Sequence, residues 1–299
     1  MITEQTMQLS LFPEMTLVER RSQVVNVASV PQRSPFRYPG GKTWLVPTAR
    51  KWFNQASQED VLVEPFAGGG IITLTAIAEQ YFDHAVMVEL DADMAAAWNT
   101  IFSSEDYEWL ISKIFNFDVT IENINNAILD SDKGIKERGF ATIVRNRTNH
   151  GGILAKGSGL IKSGEGGKGL ASRWYPSTLV KRIREANALR DNITFIHGDA
   201  FEIMEHYLND THTFFFIDPP YTIAGKRLYN HYEVDHFKIF ELVSQMKGHF
   251  LLTYDDTEEI RSMADDFNLQ YRTIPMQTTH LVTKEELIIS DSFKWLCFK

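Results

Sequence analysis

Between Val61 and Phe267, short runs rich in β-branched and aromatic residues alternate with segments of helical period. Val61-Leu62-Val63 precedes Ile71 to Gln80, Ala85 to Val88 precedes Ala92 to Phe102, and Ile193 to Ile196 precedes Phe201 to Leu208. Phe214 to Ile217 then precedes Phe237 to Met246, and His249 to Tyr254 precedes Thr257 to Phe267. A twisted strand feeding a right-handed helix packs back onto its sheet in one hand only, so this alternation closes as right-handed crossovers. The chain therefore reads as an α/β fold, a mainly parallel Rossmann-like sheet with helices on both faces. Gln270 to Met276 and Leu287 to Phe298 are strand-like with no strong helix between them, which predicts an antiparallel finish. From about Phe102 to Arg190 the alternation stops, and two or three helical segments lead into a glycine-rich stretch from Gly151-Gly152 to Gly169. The expected organisation is a loosely held arm (1–34), an α/β domain in two pieces (35–103 and 190–299) and an inserted, mostly helical domain (104–189).

Charge sharpens this division. The 299 residues carry 30 Lys and Arg against 39 Asp and Glu, a net −9 that on average repels phosphates. From Lys133 to Arg190, however, thirteen basic residues face three acidic ones, so a +10 segment sits inside a −19 frame. Apolar runs such as Phe214 to Ile217 and Phe250 to Leu252 fall far short of a membrane span, and no charged-then-apolar leader opens the chain. A cytoplasmic location is expected. The single cysteine, Cys297, cannot form an internal disulfide and reads as a small apolar residue of a last strand.

Three local motifs carry chemistry. Val63-Glu64-Pro65-Phe66-Ala67-Gly68-Gly69-Gly70 lies between a strand and a helix, where glycines let backbone approach a ligand and leave helix N-terminal amides free. A tight strand-to-helix turn is the plainer reading of such glycines, and the spacing is neither that of a dinucleotide fingerprint nor that of a phosphate loop. About twenty residues on, Glu89-Leu90-Asp91 ends the next strand, where an acidic side chain can accept from both hydroxyls of a ribose. Asp91 suits a helix cap better, which leaves Glu89 for the ribose. The third motif, Asp218-Pro219-Pro220-Tyr221, follows the apolar strand Phe214 to Ile217. Its prolines stiffen the turn and expose carbonyls, its Asp accepts from an amino group, and its Tyr offers a face on which a planar base can stack.

Taken in order, Arg37-Tyr38-Pro39-Gly40-Gly41-Lys42, the Glu64 to Gly70 turn and Asp218-Pro219-Pro220-Tyr221 resemble the motifs of Dam-like (D12 class) DNA adenine-N6 methyltransferases. The resemblance runs from about Ser34 to the C-terminus. It implies S-adenosylmethionine as cofactor, no metal, and duplex DNA as substrate, recognised by an insert in the interval where the basic segment falls. Carried over by motif, Tyr38, Gly40, Gly41 and Lys42, the turn residues Glu64, Pro65, Phe66, Ala67, Gly68 and Gly69, and Glu89 and Asp218 would bind the cofactor. Tyr38 and Lys42 would meet the methionine end of the cofactor, Lys42 through the cofactor's carboxylate side or by ordering the neighbouring loop. Glu89 stands where the family usually has Asp. Asp199, in His197-Gly198-Asp199-Ala200, would meet the cofactor's adenine amino group or simply cap a helix.

The resemblance also implies a mechanism. Asp218 and the Pro219 carbonyl would accept hydrogen bonds from the N6 amino group of a flipped-out adenine, Pro220 would stiffen the turn and Tyr221 would stack on the base. In Arg145-Asn146-Arg147-Thr148-Asn149-His150, the side chains of Arg145, Arg147, Asn149 and His150 are candidates for DNA contacts, with a solvated basic face as the plainer reading of any one of them. Gln8-Leu9-Ser10-Leu11-Phe12 resembles the short peptide by which bacterial replication and repair proteins dock on the sliding clamp, while packing of Leu11 and Phe12 on the parent domain is the alternative. A cognate restriction enzyme is a further possible partner. RNA adenine or the N4 amino group of cytosine as target, and a non-catalytic DNA-recognition subunit, are the competing functional readings.

Overall fold

Phe214, Phe215, Phe216 and Ile217 stand in a row because their strand is covered on both sides. In the computed structural model, which describes residues 29–37, 40–155, 157–164, 167–221, 233–277 and 283–297, all four are buried. Successive side chains of a strand point to opposite faces. Phe214 and Phe216 accordingly join an apolar cluster with Trp52, Leu62 and Trp98, while Phe215 and Ile217 join a second one with Val63, Phe240 and Tyr254. A run without alternation is the signature of a strand at the centre of a parallel sheet.

That strand is β4 (Thr213–Ile217) of a seven-stranded sheet. The others are β1 (Val61–Glu64), β2 (His84–Glu89), β3 (Ile193–His197), β5 (His249–Asp255), β6 (Gln270–Gln277) and β7 (Thr283–Ser290), in the order β3-β2-β1-β4-β5-β7-β6. All pairs from β3 through β5 are parallel, whereas β7 lies antiparallel between β5 and β6. This is the mainly parallel, Rossmann-like α/β sheet with an antiparallel finish that the sequence predicts. Strand order reverses between β1 and β4, and open α/β sheets place ligands at the carboxyl ends of the strands beside such a reversal.

The helices α1 (Val46–Phe53), α2 (Ile71–Ala78), α3 (Ala92–Phe102), α4 (Asp106–Phe115), α5 (Ile121–Leu129), α6 (Ile135–Thr148) and α7 (Pro176–Asn187) are followed by α8 (Ala200–His206), α9 (His236–Gln245) and α10 (Glu258–Asp266). Several start where a side chain satisfies free backbone donors: Asp91 accepts from the amides of Asp93 and Met94, Thr120 from Asn123, Asp235 from Lys238 and Thr257 from Ile260. Between β2 and β3 the chain runs through α3 and then α4 to α7. Their inward residues, including Leu110, Ile114, Ile124, Phe140, Ile143 and Ile183, belong to the same cluster as Trp98 and Phe214. The inserted helices thus extend the core of one sheet face rather than enclosing one of their own. Gly139 lets α6 press against α3, since a Cβ there would sit 2.7 Å from the Ala96 carbonyl oxygen.

Two local expectations need correction. The last strand does not run from Leu287 to Phe298: it starts earlier, at Thr283, and stops at Ser290. Asp291 accepts from the Phe250 amide and Ser290 Oγ donates to the Phe250 carbonyl, which turns the chain into a 3-10 segment, Lys294–Cys297, so Cys297 is not in a strand. The segment just before Ser34 is packed rather than loose: Val30 is buried, Arg33 pairs with Glu79, and Arg182 donates to the Ser34 carbonyl. Among the described residues, no helix is long and apolar enough to cross a membrane.

Candidate active site

At the carboxyl end of β1 the chain cannot continue as a strand, because Pro65 removes an amide and three glycines follow. The Ala67 amide still reaches β2, donating to the Val88 carbonyl at 2.9 Å, and Trp98 of α3 donates its indole N–H to the Gly68 carbonyl at 2.9 Å. The glycine turn is therefore pinned from both sides. One further tie comes from the end of β2, where Glu89 accepts from the Gly68 amide through Oε2 (3.1 Å) and from the Asp91 amide through Oε1 (2.9 Å). An ionised carboxylate has about four acceptor positions, so Glu89 keeps capacity for a ligand on each oxygen. Asp91 caps α3, as its position suggests.

A cavity opens over this turn. Its walls are Glu64 to Ile71, Val88 to Asp91, Asp199 to Phe201, Asp218 and Pro220 on the sheet side, with Gly41 and Lys42 from the segment before α1. Of the predicted cofactor residues, Gly41, Lys42, Glu64, Pro65, Phe66, Ala67, Gly68, Gly69, Glu89, Asp199 and Asp218 thus converge on one cavity. Gly40 is exposed beside it, with a positive φ of 75°, and Tyr38 lies outside the described residues. Asp199 also caps α8 by accepting from the Phe201 amide at 2.8 Å, and a carboxylate with several lone pairs can serve both purposes.

Sequence reasoning missed two walls. Gly152, Leu154 and Ala155 of the insert close one side, and Glu233 with Val234 another. Gly152 has a positive φ of 77°, and a Cβ there would lie 2.4 Å from the Arg37 carbonyl oxygen, so only glycine lets the insert come this close to the segment that leads to Lys42.

The cavity is electrostatically lopsided. Among the described residues its lining holds six acidic side chains, Glu64, Glu89, Asp91, Asp199, Asp218 and Glu233, and one basic one, Lys42. Burial pushes the Glu64 carboxyl up to about 8, against the two hydrogen bonds it accepts from the Thr73 amide and hydroxyl. Burial, with the Asp91 charge adding, pushes Glu89 up to about 7. Buried carboxylates without a cation fit a ligand that brings positive charge and hydrogen-bond donors.

The Asp218-Pro219-Pro220-Tyr221 turn leaves the end of β4 next to this cavity. Asp218 Oδ1 accepts from Thr253 of β5 at 2.7 Å and lies 3.0 Å from the Lys42 ammonium. Lys42, buried, also reaches Glu286 Oε1 at 3.0 Å, the Tyr221 hydroxyl at 2.6 Å and the Gly40 carbonyl at 3.1 Å. Burial opposes its charge, but Asp218 and Glu286 outweigh that cost and hold the ammonium above the ordinary lysine value. The Tyr221 hydroxyl donates in turn to Glu286. These contacts join Lys42 to the Asp218 to Tyr221 turn and to β7. Glu286, which the sequence did not single out, thus meets Lys42 and Tyr221 beside the turn.

The four candidate DNA residues divide sharply. Arg145 bonds Asp93 and the Leu154 carbonyl, Arg147 is 7% exposed and donates to the Pro35 carbonyl, and Asn149 is buried with its amide on the Ile153 carbonyl. Burial, with Arg182, Arg37 and Arg173 adding, pulls the Arg147 guanidinium down to about 10. Only His150 is exposed. Arg145 thus ties α6 to α3 and to the loop after it, Arg147 ties the insert to the chain before Lys42 and Asn149 braces its own loop, roles that a count of charge along the sequence cannot distinguish from phosphate binding. Gln8 to Phe12 lies outside the described residues.

Comparison with known proteins agrees with the motif resemblance. The description "D12 class N6 adenine-specific DNA methyltransferase" matches residues 38–143 and 165–275. No curated protein matches the sequence. Among solved structures, an uncharacterised protein from Listeria monocytogenes serotype 4b is similar at 8% identity and a TM-score of 0.37, over 84% of this chain and 70% of that one. The precorrin-6y C5,15-methyltransferase from Geobacter metallireducens is similar at 9% identity and 0.37, over 82% and 86%. A SAM-dependent methyltransferase from Agrobacterium tumefaciens follows at 10% and 0.37, over 83% of this chain and 60% of that one.

Proposed function

Because the chain belongs to the D12 class N6 adenine-specific DNA methyltransferase family, with S-adenosylmethionine as its cofactor, we propose that it methylates N6 of an adenine flipped out of duplex DNA. One observation carries this reading: the Asp218 to Tyr221 turn at the end of β4 stands beside the acidic cavity at the ends of β1 and β2. When bound, S-adenosylmethionine supplies an electrophilic methyl group on a positively charged sulfur. Glu89 has free acceptor positions for the ribose hydroxyls, Asp199 for the adenine amino group, and Glu64, held protonated by burial without a ligand, would give up that proton to face the cationic end. The amides of the glycine turn and the apolar rings of Phe66 and Phe201 complete the seat.

The exocyclic nitrogen of adenine is a poor nucleophile, since its lone pair is delocalised into the ring. Among the described residues the contacts to Asp218 fall on Oδ1, which leaves Oδ2 to accept one N6 hydrogen while the Pro219 carbonyl accepts the other. Two such bonds favour a pyramidal nitrogen with its lone pair exposed. Tyr221, its hydroxyl tied to Glu286 and Lys42, presents its ring for stacking. Catalysis is then positioning and electrostatics, with no covalent enzyme intermediate. A base inside a duplex cannot reach this turn, hence the flipping.

The insert, 104–189, serves as the target-recognition region in this reading. A bridge between Asn149 and Leu160 closes a loop whose inner side walls the cavity, and exposed His150, Lys162 and Lys168 lie on or near it. These three, rather than Arg145 and Arg147, which are engaged within the protein, are the residues we assign to DNA phosphates and base edges. The test is incubation with labelled cofactor and either duplex DNA or RNA, followed by mass spectrometry of the nucleosides. N6-methyladenine in duplex DNA is the expected product; N4-methylcytosine, methylated RNA or no product would overturn the assignment.

A further inference from the structure

Residue 286 lies outside the segments that match the family, on a strand antiparallel to β5 and at the far end of the sequence from Lys42. In register it faces Asp255 of β5 and Ile274 of β6, and the next three residues, Leu287 to Ile289, are fully buried. A carboxylate in such a strand, 2% exposed, costs free energy unless something specific holds it there. Glu286 Oε1 meets both the Lys42 ammonium and the Tyr221 hydroxyl, while Oε2 is buried without a hydrogen-bond partner. Lys42 has three protons and four acceptors around it, so all of its donors are engaged within the protein.

We propose that Glu286 is a positioning residue for methyl transfer: it shares the Lys42 ammonium with Asp218, 3.0 Å from each, and anchors Tyr221, setting both partners of the target base. This inference rests on the proposed function. A single ammonium shared by two carboxylates leaves net negative charge between them, and that charge strengthens Asp218 as an acceptor for N6 hydrogens. Remove the charge at position 286 and Lys42 belongs to Asp218 alone, which weakens the acceptor. The Tyr221 ring, meanwhile, loses its anchor. Nothing in this arrangement touches the ribose or adenine end of the cofactor seat.

The expected signature is therefore a split between kcat and binding. Glu286→Gln should lower kcat by about tenfold or more, with KM for DNA and cofactor affinity within about threefold of wild type. Glu286→Asp, which restores the charge, should recover part of the loss. Cofactor affinity is measured by calorimetry and kcat in single turnover on an N6-methylatable duplex. If the wild-type protein makes no N6-methyladenine, the functional assignment fails and not the role of Glu286 alone. If it does and Glu286→Gln keeps wild-type kcat, or loses cofactor affinity in proportion, the positioning role is wrong. Should Glu286→Gln not fold, Tyr221→Phe carries the test, because it deletes the anchored hydroxyl and keeps the ring. A drop of about fivefold or more in kcat at unchanged KM then supports the proposal, and wild-type kcat overturns it.

Discussion

The cavity at the carboxyl ends of the strands and the inserted helices carry opposite charge, yet they differ more in how that charge is satisfied. In the cavity, Glu64 and Glu89 are buried with no basic side chain opposing them among the described residues, and both are pushed toward neutral pH. In the insert, Arg138 and Arg145 share Asp93, Lys136 pairs with Asp106, Lys133 with Asp130 and Lys181 with Glu185. Burial works against the Asp93 carboxyl, but the two arginines outweigh it and hold it below the usual range. Carboxyl groups buried in the wall of a cavity without an opposing cation mark where a ligand belongs, whereas Arg147, buried in the insert, is taken up by the Pro35 carbonyl. Paired charge of similar density marks structure.

The largest test of this contrast is Asp218→Ala. Asp218 belongs to the cavity side, and its removal still leaves the buried Lys42 opposite Glu286, so the fold should survive. Methyl transfer should fall by about a thousandfold or more while the circular dichroism spectrum and melting temperature stay close to wild type. Substantial residual activity would mean that the turn does not hold the reacting base.

A second test uses the strain itself. The Glu64 carboxyl is raised to about 8 in the folded protein against an ordinary 4.5, so between those values the native state keeps a proton that the unfolded chain has lost. Stability without cofactor therefore declines as pH rises from about 4.5 to 8, and above 8 the full cost of the buried charge is present. Glu64→Gln removes that cost. Its unfolding free energy should exceed that of wild type by a margin that grows from pH 5 to pH 9, on the order of a few kcal/mol at most and read as a higher melting temperature, while cofactor affinity drops. A margin that is constant with pH would show that Glu64 is not held protonated by burial.

The two regions also differ in how far the sequence reveals them. The parallel core was readable because each strand and its helix are neighbours in the chain, and a glycine turn or an Asp-Pro-Pro-Tyr turn is a local signal. Glu286 was not readable. It reaches Lys42 only through the pairing of β7 with β5, and in the chain it stands in a polar run, Thr283 to Glu286, that conceals the start of a strand. Arg145 failed for the same reason in reverse: its partner Asp93 lies 52 residues earlier and meets it only when α6 packs on α3. Counting charge along the chain gives a correct total for a segment, but whether a side chain faces solvent is decided by tertiary partners.

The smallest predicted effect separates paired from exposed charge within the insert. Asp93→Asn releases Arg138 and Arg145 together and should cost about 1 kcal/mol of stability, read as a lower melting temperature, since both pairs are only partly buried. DNA affinity should change little if paired charge in the insert is structural, and Arg145 keeps its bond to the Leu154 carbonyl. Lys162→Ala or Lys168→Ala should do the opposite. Both side chains are exposed, so melting is unaffected, while the slope of log affinity against log salt should become shallower by about one for each phosphate left without its lysine. If Asp93→Asn flattened the salt slope and the lysine variants left it unchanged, the paired residues would be the ones meeting DNA, and the contrast between the two kinds of charge would not hold.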